Sequence, residues 1–340
     1  MHRAKKLPGI SPSAWAHPAD KAALSVVKRV AGLDELVKMF VGGSTERAIR
    51  LLHVSCSVKV TENQFIRVKH ILDRVIDILD WPSAPTVFVT NNPFFNAGVC
   101  GVREPFIVLN SSLLRALDDD ELYCAIAHEV GHIMSGHALY KTVMWILLKF
   151  SLSALPIAGL LVKPLAIALK EWDRKSELTA DRAALLALQS ERENYNVLMK
   201  IAGGEDLSQM NVNDFFLQAW EYESQKTLLD GICKLLNTMG ESHPFPVIRL
   251  QELRSWAASG QYQAILDGAY VKRGAESTGA ADDVQEGYEY YRGSLDQSDD
   301  PLLKAVKNVG ESLGKAAEGL RDTLKDKFKT KEDRRPGRPD

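Results

Sequence analysis

Two histidines and a glutamate, His128, Glu129 and His132, stand within five consecutive residues of the chain. Residues four apart lie on one face of an α-helix, so both imidazoles can direct a ring nitrogen at a single ion. Glu129 follows the first histidine and can reach a water molecule at that ion without binding the ion itself. Two neutral imidazoles with an adjacent carboxylate are typical of a zinc hydrolase whose glutamate is the general base. The alternative is a helix with two packed or solvated histidines.

A zinc site of this kind needs a third protein ligand, and His137 is the nearest candidate. A metzincin would need glycine at position 135 and histidine at position 138, where this chain has Ser135 and Ala138. We therefore predict that His137 is a satisfied or solvent-facing histidine and not a ligand.

Glu177 and Asp181 are a second candidate pair, four residues apart in a stretch with helical character. A carboxylate ligand followed one turn later by a second carboxylate would suit a site of two histidines and one glutamate, with the second acid orienting a neighbouring histidine or arginine. The same charges would also suit a solvated helix face, so this pattern alone does not choose between the two.

Composition and charge exclude several classes of protein. The chain has 340 residues, of which 45% are hydrophobic and 25% are charged, as in globular proteins of one or two domains. A net charge of −2 argues against a general nucleic-acid binder. Four scattered cysteines indicate a reducing compartment, and the N-terminus shows no continuous apolar signal segment. We expect a cytoplasmic protein that is either free or associated with the cytoplasmic face of a membrane.

Apolar periodicity predicts mostly helices, with two strands at 86–90 and 105–109 immediately before the His128 helix. The predicted helices cover residues 19–40, 46–54, 63–79, 122–133, 169–186, 211–238 and 247–258. The sequence thus predicts an α+β fold, predominantly helical, with a small β-sheet beside the helix of the two histidines. The edge of such a sheet can bind an extended peptide by strand addition.

The apolar stretch 142–169 resembles a membrane segment in composition. If Glu177 is a ligand, it must lie on the same side of any bilayer as His132, which requires two crossings and roughly 40 apolar residues. Because the stretch is shorter and contains Lys149 and Lys163, we predict a hydrophobic helical hairpin. It either packs on the protein or makes peripheral contact with a membrane.

Three segments of the chain form a recognisable set: Ala127 to Ile133 (A-H-E-V-G-H-I), Trp172 to Arg182 (W-D-R-K-S-E-L-T-A-D-R) and Ser242 to Leu250 (S-H-P-F-P-V-I-R-L). Together they resemble the M48 family of zinc metallopeptidases, the gluzincins that include the HtpX heat-shock proteases and the CAAX prenyl protease. The resemblance covers about residues 60–255, including the apolar insertion between the second and third ligands. It implies a zincin-like metallopeptidase domain that binds one Zn²⁺ per chain.

The resemblance also implies roles for individual residues. His128, His132 and Glu177 correspond to the zinc ligands, and Glu129 corresponds to the catalytic base. Asp181 and Arg249 correspond to residues that support the site, with Arg249 pairing with Asp181 or a neighbouring acid. His243 corresponds to a second catalytic residue that donates a hydrogen bond to the developing oxyanion; a histidine that caps the following proline turn is the alternative.

Asn96 and Ala97 match the substrate-binding edge strand of the family, which usually reads Asn-Ala-Phe. Here Gly98 takes the third position, so the backbone groups for pairing remain while the supporting side chain is lost. Phe94 and Phe95 are candidates to replace it.

The C-terminal part differs in composition from the rest. We assign residues 1–60 to an N-terminal helical extension, 61–260 to the peptidase domain, 261–300 to an acidic linker and 301–340 to an amphipathic helix with a disordered tail. Apolar residues at helical spacing over 301–328 favour self-association or intramolecular docking over insertion into a membrane surface.

The function predicted from the sequence is that of a zinc-dependent metalloendopeptidase. It would hydrolyse peptide bonds through a glutamate-activated, zinc-bound water, in protein quality control or processing. Its partners would be protein or peptide substrates and no nucleic acid. The alternative is a non-catalytic or autoinhibited peptidase fold that acts as a binding module through its C-terminal helix.

Overall fold

A four-stranded sheet separates two groups of helices in the computed structural model, which describes residues 4–28, 30, 33, 37, 44–149, 159–225 and 245–275. The strands are β1 (Val58–Lys59), β2 (Thr86–Thr90), β3 (Ala97–Cys100) and β4 (Phe106–Asn110). Their order is β1-β2-β4-β3, with β2 and β4 parallel and the two outer pairs antiparallel. The two strands predicted from the sequence are confirmed to within one residue, and β3 lies at an edge of the described sheet.

Helices account for most of the described residues, so the prediction of a predominantly helical α+β fold is confirmed. Their bounds are α1 (Pro18–Val27), α2 (Ser44–Cys56), α3 (Ile66–Leu79), α4 (Ser111–Ala116), α5 (Asp119–Met134), α6 (His137–Lys149), α7 (Gly159–Leu188), α8 (Glu191–Gly203), α9 (Val212–Ser224), α10 (Pro246–Ala258) and α11 (Gln261–Leu266), with short 3₁₀ turns at Pro12–Ala14 and Leu207–Gln209. The most extensive helix–helix contact among them joins α5 and α7.

The two central strands, β2 and β4, are buried on both faces, which explains why they read as continuous apolar runs. Successive side chains of a strand point to opposite faces. Val87 and Val89 of β2 accordingly join a core cluster formed with α3, α5 and the C-terminal half of α7. Phe88, between them, joins a second cluster formed with α1, α6 and the N-terminal half of α7. The helix carrying the two histidines therefore packs on one face of the sheet, and α6 packs on the other.

The segment before α1 lies against the helical core. Leu7, Ile10 and Trp15 are buried, and the amide of Leu7 donates to the carbonyl of Ile78 at 2.8 Å. The amide of Arg273 donates to the carbonyl of Gly9 at 2.8 Å, which ties this segment to the residues after α11. As a result, α1 begins at a fixed place beside α7.

Helices α6 and α7 carry most of the apolar stretch that the sequence predicts to be a helical hairpin, and residues 150–158 between them lie outside the described part. Val143, Ile146, Leu147 and Leu169 are buried in the second core cluster.

None of the described helices is long and apolar enough to cross a membrane. Peripheral membrane contact and the cytoplasmic location stay predictions. The predicted acidic linker from residue 276 onwards and the predicted C-terminal helix also lie outside the described residues.

Candidate active site

Helix α5 presents the two histidines from a firmly capped and buried segment. The side chain of Asp118 accepts hydrogen bonds from the amides of Asp120 and Glu121. The Glu121 carboxylate accepts in turn from the amide of Asp118, which completes a capping box. Apolar side chains along the helix are buried in the first core cluster. His128 and His132 thus project from one face of a helix whose start is fixed.

Gly131 allows α7 to approach α5 closely at the level of these histidines. A Cβ at this position would lie 2.6 Å from the Cβ of Ala183 and 3.4 Å from the Cα of Ala180. The facing residues of α7, Ala180, Ala183 and Ala184, are small and buried. The contact between small residues brings Glu177, two turns before Ala184 on α7, next to the two imidazoles.

The three side chains predicted to bind metal converge. The Nε2 atom of His128 lies 3.2 Å from Oε2 of Glu177, and Nε2 of His132 lies 3.1 Å from Oε1 of Glu177. One ligand atom from each residue falls within 4.8 Å of the others, a group able to hold a metal ion. Ligands about 2.0–2.1 Å from a tetrahedral zinc ion are about 3.3 Å apart. The donor types fit a zinc ion, and the two His–Glu separations are close to those expected in a tetrahedral site.

Asp181 and Arg249 stand behind His128. Nδ1 of His128 is 3.0 Å from Oδ1 of Asp181, while Arg249 donates to Asp181 through Nε at 2.8 Å and through Nη2 at 2.5 Å. Burial opposes ionisation of Asp181, but Arg249 and His128 outweigh it and lower the pKa of this carboxyl group. Nδ1–H of His128 donates to the ionised Asp181. When the imidazole is neutral, as a metal ligand must be, this places the lone pair on Nε2.

Glu129 is buried, with one carboxylate oxygen, Oε2, lacking a hydrogen-bond partner among the described residues. Burial raises its pKa to about 7, with Glu177 adding to the rise and His128 opposing it. A buried carboxyl group with a free oxygen and a pKa near neutrality can both accept and return a proton at neutral pH. Glu129 is therefore suited to proton transfer.

Lys141 of α6 contacts the candidate ligand Glu177, which the sequence did not suggest. Its Nζ donates to Oε1 of Glu177 at 2.8 Å and to Oδ1 of Asp173 at 2.6 Å. Burial alone would lower the pKa of Lys141, but the two carboxylates outweigh burial and raise it. A permanent positive charge thus offsets part of the negative charge around Glu177. No sequence motif marks this contact: Lys141 lies between the predicted ligands, immediately before the apolar stretch 142–169.

His137 does not join the group of predicted ligands. Its Nδ1 lies 2.9 Å from Nδ1 of His132, on the side of that ring remote from Glu177, and its Nε2 lies 3.0 Å from Oδ2 of Asp20. His137 is thus buried and satisfied. Asp20 comes from α1, far from every motif in the sequence, and it too was missed.

Strand β3 supplies the predicted substrate edge, and it contacts α5 and α6. Asn96 precedes the strand and accepts from the amide of Asn110 at 3.1 Å. Ala97 pairs with Leu109 in the antiparallel register. Because hydrogen-bonded and non-hydrogen-bonded pairs alternate, the backbone groups of Ala97 and Val99 point away from β4. A Cβ at Gly98 would meet no atom of the described residues within 4 Å, so among these residues the departure from the family pattern leaves open space. Phe94, which we considered as a replacement, is 74% exposed.

His243, the predicted oxyanion donor, lies outside the described residues. The described structure resumes two residues later, at Phe245, and α10 then carries Arg249 into the site.

Comparison with known proteins agrees with this geometry. The sequence profile described as Peptidase family M48 matches residues 62–257. The chain is 33% identical over 261 residues to the plastoglobule-localized metallopeptidase 48 of the chloroplast of Arabidopsis thaliana, and the alignment covers 75% of this chain and 76% of the relative. No solved structure matches the chain.

Proposed function

The chain belongs to peptidase family M48, and from this membership we propose that it is a zinc-dependent metalloendopeptidase that acts in protein processing or quality control. The proposal names His128, His132 and Glu177 as the zinc ligands and Glu129 as the catalytic base. One observation supports it most directly: the Nε2 atoms of the two histidines converge on the carboxylate of Glu177. Beside them lies the buried carboxyl group of Glu129, whose Oε2 has no hydrogen-bond partner among the described residues.

Zinc is the metal that the donor set favours. Two imidazoles and one carboxylate form the ligand set of several catalytic zinc sites, and three protein ligands leave one position open. When bound, zinc supplies a Lewis acid that lowers the pKa of a water molecule towards neutrality and polarises a carbonyl group.

The protein groups around this site have complementary tasks in the proposed reaction. Glu129 accepts a proton from the attacking water through its free oxygen and returns the proton to the leaving amine. Asp181 holds His128 in the tautomer whose Nε2 carries the lone pair, and Arg249 keeps Asp181 ionised. The predicted role of His243 is to donate a hydrogen bond to the oxyanion of the tetrahedral intermediate.

The edge of β3 that faces away from β4 is the proposed binding place for an extended peptide. Its outward-facing backbone groups are those of Ala97 and Val99, and a peptide that pairs with them adds a strand to the sheet. In strand addition the peptide backbone supplies the hydrogen bonds, and pockets for alternate side chains set any sequence preference. Asn96 and Ala97 are the substrate-contact residues in this proposal.

Replacing Glu129 by Gln tests the proposed function. The substitution keeps the shape of the side chain and removes its capacity to accept a proton, so we expect one zinc ion per chain and a fall in casein cleavage of about 10²–10⁴-fold. The matched control is Glu121→Gln, which changes a buried carboxylate at the opposite end of the same helix; we expect it to keep both zinc and activity. A Glu129→Gln protein that cleaves casein at the wild-type rate would refute the mechanism.

A further inference from the structure

A chain of buried polar groups leads away from His132 on the side opposite Glu177. Nδ1 of His132 is 2.9 Å from Nδ1 of His137, and Nε2 of His137 is 3.0 Å from Oδ2 of Asp20. His137 is 2% exposed and Asp20 is 3% exposed. Asp20 also accepts hydrogen bonds from Nε1 of Trp172 at 2.8 Å and from the hydroxyl of Thr179 at 2.6 Å. Three helices, α1, α6 and α7, meet at this chain.

Metal binding permits one arrangement of protons along these groups. A neutral imidazole carries one proton, so a His132 that binds metal through Nε2 must carry its proton on Nδ1. This Nδ1–H donates to Nδ1 of His137, whose own proton must then be on Nε2. That Nε2–H donates to Oδ2 of Asp20. Each group donates to the next in the same direction, and the chain ends on a carboxylate held by two further donors.

Each of the two histidines of the site is therefore connected by hydrogen bonds to a buried carboxylate. His128 contacts the carboxylate of Asp181 directly, at 3.0 Å. His132 reaches the carboxylate of Asp20 through an intervening imidazole. A carboxylate behind a metal-binding histidine fixes its tautomer and ring orientation and increases its basicity. The Asp181 contact lies within the residues matched by the family profile, which begin at residue 62, whereas Asp20 lies outside them.

We propose that Asp20 and His137 are positioning residues for His132, and that helix α1 thereby sets the affinity of the site for zinc. This inference rests on the proposed function, because it assumes that His132 binds the ion. It assigns to the N-terminal segment a part in metal binding, through a hydrogen-bonded chain from Asp20 to His132.

A purely structural role would have a different signature. The ring of His137 packs edge-on against Trp172, with the ring centroids 5.5 Å apart, and the Asp20 contacts join α1 to α7. If these groups only held the helices together, their loss would lower the free energy of unfolding of the metal-free protein without changing zinc affinity. The two roles can therefore be separated by measuring stability and affinity independently.

Two substitutions in the full-length chain test the proposal. Asp20→Asn keeps the size of the side chain and removes the charge at the end of the hydrogen-bonded chain. His137→Phe keeps a ring against Trp172 and removes the acceptor for Nδ1 of His132. Zinc affinity is measured by competition with a chromogenic chelator, and the visible absorption of the Co²⁺-substituted protein reports the ligand field. Unfolding in EDTA gives the stability of each variant without metal.

We expect each variant that folds to bind zinc about 10–100-fold more weakly than the wild type, with an altered Co²⁺ spectrum. The control is Glu121→Gln, which replaces a buried carboxylate on the same helix as His132. This variant should bind zinc with wild-type affinity even if it unfolds more easily. Wild-type zinc affinity and an unchanged Co²⁺ spectrum in either variant would overturn the inference while leaving the proposed function intact. A wild-type protein that binds no zinc would overturn both.

Discussion

The close approach of α5 and α7 at Gly131 leads to a steric prediction. In the variant Gly131→Ala, the new methyl group would lie 2.6 Å from the Cβ of Ala183. Carbon atoms in favourable contact are about 3.5–4.0 Å apart. The two helices must therefore separate by about 1 Å at this level, and neither partner is a flexible side chain that could turn away.

Two opposing effects determine the stability of the Gly131→Ala protein. Alanine is favoured over glycine in a helix by about 1 kcal/mol, whereas overpacking a dense contact costs about 1–3 kcal/mol. We expect the metal-free variant to be up to about 2 kcal/mol less stable than the wild type. The same displacement should also weaken zinc binding. A shift of about 1 Å between the helices that carry the histidines and Glu177 exceeds the tolerance of about 0.2 Å in metal–ligand distances. A misplacement of about 1 Å is also enough to slow an enzyme by about 10²-fold.

A second substitution separates the steric effect from other consequences of the first. Ala183→Gly removes the opposing methyl group, so the double variant Gly131→Ala/Ala183→Gly should recover zinc affinity and casein cleavage. Its helix propensities nearly cancel, at about 1 kcal/mol in each direction. The assays are urea unfolding in EDTA, zinc competition with a chelator, and cleavage rate. A single variant with wild-type zinc affinity and activity, or a double variant that recovers neither, would refute the reasoning.

Two further predictions concern the substrate edge and the dependence of stability on pH. Ala97→Pro removes a backbone donor that faces away from β4, a position where an edge strand tolerates proline; KM should rise by up to about tenfold with folding intact, whereas an unchanged KM would argue against peptide binding at this edge. Burial lowers the pKa of His17, against the opposing effect of its hydrogen bond to Glu252. The unfolded chain therefore binds a proton more readily than the folded one, and the stability that neutral His17 contributes is complete above about pH 6.5 and is lost as the pH falls below it. The variant His17→Asn keeps an acceptor for the amide of Ala19 and should show a weaker loss of unfolding free energy between pH 7 and pH 5.5 in EDTA; an identical pH dependence in both proteins would contradict this assignment.

Local patterns in the sequence predicted much of the fold, because their causes are local. The apolar run 122–133 predicted most of α5, whose start at Asp119 is fixed by the cap that Asp118 and Glu121 form. Continuous β-branched and aromatic runs predicted β2 and β4, which are buried on both faces. β1 was missed since Val58 and Lys59 form a two-residue strand, too short for any periodicity.

Parts of the site could not be predicted because they depend on contacts between distant residues. Asp20 and Thr179 are 159 positions apart, and Asp20 belongs to a helix whose apolar stripe indicates only core packing. Lys141 follows His132 by nine residues and immediately precedes the apolar stretch 142–169, and no pattern there marks it as a partner for Glu177. The sequence predicted that His137 is not a ligand but a satisfied or solvent-facing histidine; the partner that satisfies it is visible only when α1 is placed beside α7.

The central claim, that His128, His132 and Glu177 hold a zinc ion, is tested most directly by anomalous diffraction from crystals of the zinc-loaded protein. Data collected on both sides of the zinc absorption edge would locate the ion without reference to activity. We predict one peak per chain, about 2.0–2.2 Å from Nε2 of His128, from Nε2 of His132 and from the Glu177 carboxylate. The absence of a peak at this position, or a peak coordinated by other residues, would contradict the account.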